Sequence, residues 1–301
     1  MIVIPTRNEA PDMWRDLLGA TDVAAILGES PFASAHSVWL EKTGQAPLQA
    51  PTRQMKRGTR LENFVAMQYQ DDTGSKLKPA PAMLHPKYGF LAASPDFHRE
   101  YDPLVVETKT HPPWHKVRYG EPGTDAVPSH ELVQCLWQMH VGLLSDMGWN
   151  QADLVVQWDF DNQTVFHIAY DYDLGGRIEE QMVRWWRDHV TKGVEPMVGG
   201  SDCDLDWIKE RFPKEEVPEI RATTEVAGWL RQLLAVRAEK AEKEAAENAL
   251  KARIQQYMGG AAVLITPGFD PVTWKKTADV LVKEHVRKGA RRFLVPGSKE
   301  A

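Results

Sequence analysis

Cysteine is nearly absent: the 301-residue chain has two, Cys135 and Cys203, in no Cys-x-x-Cys arrangement. That scarcity excludes a disulfide framework and a zinc or iron–sulfur pattern, so any metal has to be held by oxygen ligands. Long apolar runs are missing too. None nears the roughly 20 residues that span a bilayer, and the N-terminus lacks the basic-then-apolar layout of a secretory signal. The expectation is a protein of the cytoplasm without a membrane partner. A positive balance is also lacking, since 36 Lys and Arg face 42 Asp and Glu for a net charge of −6. Such a balance is not the global signature of a chain that coats nucleic acid without specificity.

What is present is apolar content sufficient for a packed core, and basic charge concentrated in places. Arg53, Lys56, Arg57 and Arg60 form one cluster, and Trp274 to Arg292 holds seven basic residues against two acidic ones. Either patch can bind phosphate or be a solvated face.

Hydrophobic spacing predicts a short helix capped by Thr21 and stopped at Gly28, a second over Ser34–Thr43, and a third over Arg57–Gln70. In the third, Leu61, Phe64, Val65 and Tyr69 are expected to face inward. These three helices precede the first expected strands. A hairpin follows, with strands over Gly89–Phe97 and Leu104–Lys109 joined by a polar turn. Thr110–Pro128 reads as a long loop, and a helix capped by Ser129 then buries Leu132, Val133, Leu136, Trp137, His140, Val141 and Leu144. Gln134 and Gln138 share a different face of that helix. Strands over Asp153–Trp158 and Thr164–Tyr170 and a helix over Leu174–His189 complete an α/β core, expected to span residues 1–213. Residues 214–301 read as an appendage: one long helix over Thr224–Met258, a small β-hairpin around Pro267-Gly268, and a basic C-terminal segment.

The candidate chemistry lies on the first hairpin. Hydrolysis of a phosphodiester requires deprotonation of water and neutralisation of charge on the phosphoryl and leaving oxygens, which carboxylates holding a divalent cation can accomplish. Ser94-Pro95-Asp96 closes one expected strand and Glu107-Thr108-Lys109 lies on the next. Residues i and i+2 of a strand share a face, so Glu107 and Lys109 project together. Pairing of the strands can bring Asp96 to them. Asp96, Glu107 and the Thr108 backbone carbonyl are hard oxygen ligands suited to Mg2+ or Mn2+, while Lys109 can orient or help deprotonate the water. A turn aspartate beside a solvated strand edge is the plain alternative.

Five segments occur in order: Leu27-Gly-Glu-Ser30-Pro-Phe32, Arg57-Gly-Thr-Arg60-Leu-Glu62, Ala93-Ser-Pro-Asp96, Val106-Glu-Thr-Lys109, and Gln134-Cys-Leu-Trp-Gln138-Met-His-Val141. Together, across roughly Thr21–His189, they resemble the YqaJ-type viral recombinases, relatives of phage lambda exonuclease within the PD-(D/E)xK nuclease superfamily. The resemblance implies a restriction-endonuclease-like α/β fold, a mixed sheet flanked by helices, with the long helical arm and hairpin outside the match. It implies that Glu62 joins Asp96 and Glu107 at the metal, and that Gln134 is the active-site glutamine of the following helix. Ser30 and Ser94 match residues near the 5′-phosphate, where Arg57 and Arg60 are candidate phosphate contacts. Phe97, Thr108 and Leu136 depart from the residues usual in that family.

The implied activity is a metal-dependent 5′ to 3′ exodeoxyribonuclease on linear double-stranded DNA ends, leaving 3′ single strands for phage-type recombination. A structure-specific or restriction-like endonuclease is the alternative enzyme, and a non-catalytic DNA-end-binding recombination protein is the alternative from another class. Implied partners are a single-strand annealing protein and further copies of the chain, in a ring-shaped homo-oligomer. In the loop after Lys109, the rings of Trp114, His115 and Tyr119 can stack on an unpaired terminal base or anchor the loop to the core.

Overall fold

The computed structural model describes residues 1–46, 51–216, 219–269 and 271–275. It divides into two compact units, Met1–Glu210 and Arg211–Ala301. In the first, the strands in chain order are β1 (Ile2–Ile4), β2 (Leu77–Pro79), β3 (Ala82–Leu84), β4 (Ala92–Ala93), β5 (Phe97–Arg99), β6 (Leu104–Thr110), β7 (Gln151–Gln157) and β8 (Gln163–Ala169). Its helices are α1 (Ala20–Ile26), α2 (Ala35–Lys42), α3 (Arg53–Thr73), α4 (Ser129–Leu144), α5 (Tyr172–Trp185) and α6 (Asp202–Arg211).

A five-stranded mixed sheet in the order β2-β5-β6-β7-β8 carries the architecture, and helices flank it. Only β6 and β7 run parallel, because the chain between them crosses over through α4; the remaining pairs are antiparallel. The apolar run Leu104-Val-Val in β6 and Leu154-Val-Val in β7 suit central strands covered on both faces. At the edge, β8 buries Phe166 and Ile168 while His167 and Ala169 face outward. The Trp137 indole donates a 2.9 Å hydrogen bond to the Ala92 carbonyl, which fixes α4 against β4.

Local chemistry moves several expected boundaries. A strand precedes the helices after all: β1 pairs with β3, which pairs with β4, in a separate three-stranded sheet. Gly19, not Thr21, caps α1, its N–H donating to the Asp22 carboxylate at 3.0 Å. Thr52 caps α3, so that helix starts at Arg53 and runs unbroken through Arg57 and Gly58. Its buried stripe is Val65, Ala66 and Tyr69, while Phe64 lies outside against Phe160.

Residues 89–97 do not form one strand. Ala92–Ala93 belongs to the three-stranded sheet and Phe97–Arg99 to the five-stranded one, so Ser94-Pro95-Asp96 is the crossing between sheets. Pro95 has no N–H to give a ladder, which favours a break there. The loop after β6 contains a 3-10 helix, Pro113–Arg118. Ser129 is the first residue of α4 rather than its cap, and Pro128 occupies the cap position. After Trp185 the expected helix continues as a π-helical turn, Trp186–Thr191.

In the second unit, α7 (Thr224–Met258) is one continuous helix capped by Thr223, with Lys251 and Glu247 paired at 2.5 Å. Gly259, at φ 52°, ends it, and β9 (Val263–Leu264) pairs with β10 (Val272–Thr273). Most of the expected basic C-terminal segment, residues 276–292, lies outside the described residues. Among the described residues no helix is long and apolar enough to cross a membrane.

Candidate active site

Strand register brings the first two acids together. Phe97 pairs with Val106 and His98 with Val105, so one step further along the same antiparallel register places Asp96 opposite Glu107. Asp96 Oδ2 accepts hydrogen bonds from the Thr108 N–H at 2.8 Å and the Thr108 hydroxyl at 2.6 Å. The N–H and C=O of an extended residue point to the same edge, so the Thr108 carbonyl faces the side where Asp96 leaves the sheet.

Glu107 is the centre of the cluster, only 3% exposed. Its Oε1 accepts from the Lys109 ammonium at 2.6 Å and the Gln134 amide at 2.5 Å, and its Oε2 accepts from the Gln138 amide at 2.8 Å. Lys109 also donates to Gln134 Oε1 at 2.9 Å, which closes a three-membered network. Gln134 and Gln138 are one helical turn apart on α4, and the face they share turns onto β6 and is covered by it.

Charge is unbalanced here. Burial, reinforced by the negative charge of Glu107, pushes the Asp96 carboxyl up to about 7 despite the opposing effects of Lys109 and Thr108. Burial also raises Glu62 on α3; a Thr59 hydrogen bond opposes the rise and the Glu107 charge adds to it, so Glu62 lies in the same field. Burial alone would lower the Lys109 ammonium, but Glu107, Glu131 and Asp96 outweigh it and hold Lys109 well above the ordinary lysine range. Several carboxylates thus crowd one ammonium. Asp96, Glu107, Glu62 and the Thr108 carbonyl are hard oxygen donors, the chemistry that a divalent cation takes. Lys109, bonded to Glu107 and Gln134, carries the positive charge of the cluster.

The other expected contacts are more peripheral. Arg57 and Arg60 are exposed on α3, and Arg60 helps line a depression of about 260 Å3 with Asn8, Lys56 and Thr59. Ser30 is half-buried, its hydroxyl accepting from the Phe32 N–H at 3.2 Å, and Ser94 is half-buried just before Asp96. No direct bond joins these four to the acidic cluster among the described residues.

Two participants escaped the sequence reading. Gln138 was placed on the face of Gln134 but given no role. Glu131, 1% exposed, accepts from His111 at 2.9 Å and Tyr119 at 2.7 Å, and its charge reaches Lys109. The available signal was the polar stripe Glu131, Gln134, Gln138 at i, i+3, i+7 on an otherwise apolar helix.

A second group, His85, His140 and Glu179, places its ligand atoms within 4.8 Å of one another. His85 Nδ1, however, accepts the Lys87 and Tyr88 backbone N–H groups at 3.2 and 3.1 Å, so its ring proton sits on Nε2, directed at Glu179. A protonated nitrogen has no lone pair for a metal, and His140 likewise meets the same carboxylate oxygen through Nε2 at 2.8 Å. Hydrogen bonding satisfies this group without a cation.

The sequence of residues 11–147 matches the profile of the YqaJ-like viral recombinase domain. Over this stretch the chain is similar to that family. The stretch contains Glu62, Asp96, Glu107, Lys109, Glu131, Gln134 and Gln138. Over 257 residues the chain is 25% identical to the uncharacterized protein YqaJ of Bacillus subtilis, covering 83% of this chain and 79% of that protein. The alkaline exonuclease LHK-Exo of Laribacter hongkongensis, in its complex with dAMP, aligns at 18% identity with a TM-score of 0.48, covering 66% of this chain and 94% of that one. A phage-related exonuclease of Haemophilus somnus aligns at 14% identity with a TM-score of 0.44, covering 59% and 96% respectively.

Proposed function

We propose that this chain is a metal-dependent deoxyribonuclease. The observation that carries this reading is the buried Glu107 carboxylate, set opposite Asp96 and bonded to Lys109, Gln134 and Gln138. A merely structural glutamate has little need of an ammonium, two amides and a second high-pKa acid.

In this reading Asp96, Glu107, Glu62 and the Thr108 carbonyl hold Mg2+ or Mn2+. The bound cation supplies Lewis-acid charge that makes water a nucleophile near neutral pH and stabilises the phosphoryl oxygens. Lys109 orients the attacking water and neutralises charge on the reacting phosphate. Gln134, bonded to both Glu107 and Lys109, keeps the two in register. Arg57, Arg60, Ser30 and Ser94 contact the flanking phosphates.

The motif resemblance extends the reading to a 5′ to 3′ exonuclease on linear duplex ends, producing 3′ single strands in a bacterial or phage-infected cytoplasm. It also brings a homo-oligomer and a single-strand annealing partner. The exposed Trp229, Val236, Leu250 and Tyr257 of α7 favour a protein interface there. End-labelled linear duplexes with and without a 5′-phosphate, and relaxed circles, provide the test with Mg2+ or Mn2+. Wild type should shorten linear DNA from its 5′ ends and spare circles, and Glu107→Ala should leave both linear and circular DNA intact. Rapid linearisation of circles would replace the exonuclease with an endonuclease, and equal degradation by Glu107→Ala would remove the site.

A further inference from the structure

The rings expected to act after Lys109 separate into an anchor and a free tip. Tyr119 packs its ring 5.0 Å from Trp158 and 5.3 Å from Phe166, with its hydroxyl on Glu131 Oε2 at 2.7 Å. His111 reaches the other oxygen, Glu131 Oε1, at 2.9 Å. His111 lies just before the 3-10 helix Pro113–Arg118 and Tyr119 just after it. A single buried carboxylate therefore pins both ends of this turn. Glu131 stands one helical turn before Gln134, which touches Glu107 and Lys109.

Between the pins the turn faces solvent. Trp114 is 73% exposed and Val117 88%, and Lys116 and Arg118 are exposed alongside them. Trp114 is three residues from His111, so its Cα lies no more than about 11 Å from that of His111, itself two residues past Lys109. A pinned turn that presents an indole to water while its neighbouring tyrosine packs on the core has an unmet apolar surface on the segment that follows Lys109.

Resting on the nuclease reading, we propose that the Pro113–Arg118 turn is the seat of the terminal base pair of a DNA duplex. Trp114 stacks on the end base, and Lys116 and Arg118 meet the adjoining phosphates. The charge pattern selects this occupant: two exposed cations on the same short turn as the indole, Lys116 lying 5.6 Å over the Trp158 ring, fit a base framed by phosphodiesters, which an apolar protein surface does not offer. Internal base pairs have no free face for the indole, so the seat is specific for ends. Glu131 acts as a positioning residue, through His111 and Tyr119.

The test uses the full chain with Ca2+ in place of Mg2+ and blunt duplexes carrying 2-aminopurine at the terminal or at an internal position. Wild type should change the fluorescence of the terminal probe and leave the internal one unaltered. Trp114→Ala should weaken end binding about five- to a hundredfold and abolish the terminal signal, with Trp114→Phe recovering most of both. An unchanged melting temperature for Trp114→Ala separates lost stacking from lost folding. Terminal signal and affinity within twofold of wild type in Trp114→Ala would overturn the proposal. Nuclease activity is followed separately with Mg2+: if wild type degrades DNA and Trp114→Ala binds ends normally, only the seat is lost. If wild type degrades nothing while the terminal signal still depends on Trp114, the seat stands and the nuclease reading falls.

Discussion

Gln138 donates its side-chain amide to Glu107 Oε2 at 2.8 Å, from a position only 1% exposed. Its own Oε1 is buried with no partner among the described residues, so the amide is committed to the carboxylate at a cost in unsatisfied hydrogen bonding. That arrangement is expected of a group orienting a metal ligand. Gln138→Leu should therefore weaken Mn2+ binding about 10- to 100-fold with only a small loss of stability. Isothermal titration calorimetry measures the first and urea denaturation the second. Unchanged Mn2+ affinity would show that Gln138 merely fills space.

The raised Asp96 carboxyl predicts a pH dependence with a definite sign. Its folded value of about 7 lies above the ordinary 3.8, so without metal the folded chain holds a proton that the unfolded chain releases. The stability associated with that proton is fully present below the unfolded value and is lost as pH rises towards 7. A divalent cation displaces the same proton. Apparent Mn2+ affinity should then fall about tenfold per pH unit below 7 and level off above it, with thermal stabilisation by Mn2+ larger at pH 8 than at pH 5. Affinity independent of pH from 5.5 to 8 would contradict the assignment of Asp96 as a ligand.

Much of this site is legible in the sequence because strand chemistry is local. Alternation places Glu107 and Lys109 on one face wherever the strand sits. What is hidden depends on tertiary contacts. Whether the Glu131, Gln134, Gln138 stripe meets water or β6 is decided by the crossover that lays α4 on the sheet, and no periodicity reports it. The separation of residues 89–97 between two sheets is hidden for the same reason: a short strand takes its partner from the fold around it. Helix α7, by contrast, is readable end to end, because its i,i+4 charge pairs and Gly259-Gly260 stop lie within the segment itself.

Turnover and metal binding should part at Lys109. Lys109→Met removes the ammonium from Glu107 Oε1 while leaving both glutamine amides able to hold the carboxylate. Turnover should drop at least 100-fold, the scale for losing a positioned acid–base or electrostatic group. Mn2+ affinity should hold or increase, because a competing positive charge has gone. Single-turnover cleavage and calorimetry on the same variant measure the two effects. A variant that loses metal binding and activity together would make Lys109 a structural prop.

The distance of α4 from its neighbours is set by a glycine. A Cβ added at Gly142 would lie 2.1 Å from Trp149 Cε3, and Trp149 is itself fully buried, so neither the indole nor the helix has room to yield. Alanine is intrinsically better than glycine within a helix by about 1 kcal/mol, which on its own favours the substitution. Overpacking of a closed core costs about 1–3 kcal/mol and acts against it, and a contact this short belongs at the upper end. Gly142→Ala should therefore lower the urea midpoint, and its effect should extend to the site, because the same helix carries Gln134 and Gln138 onto Glu107. Reduced Mn2+ affinity in the still-folded variant would register that shift of the helix. A midpoint equal to or above that of wild type would mean that the indole finds another place to pack.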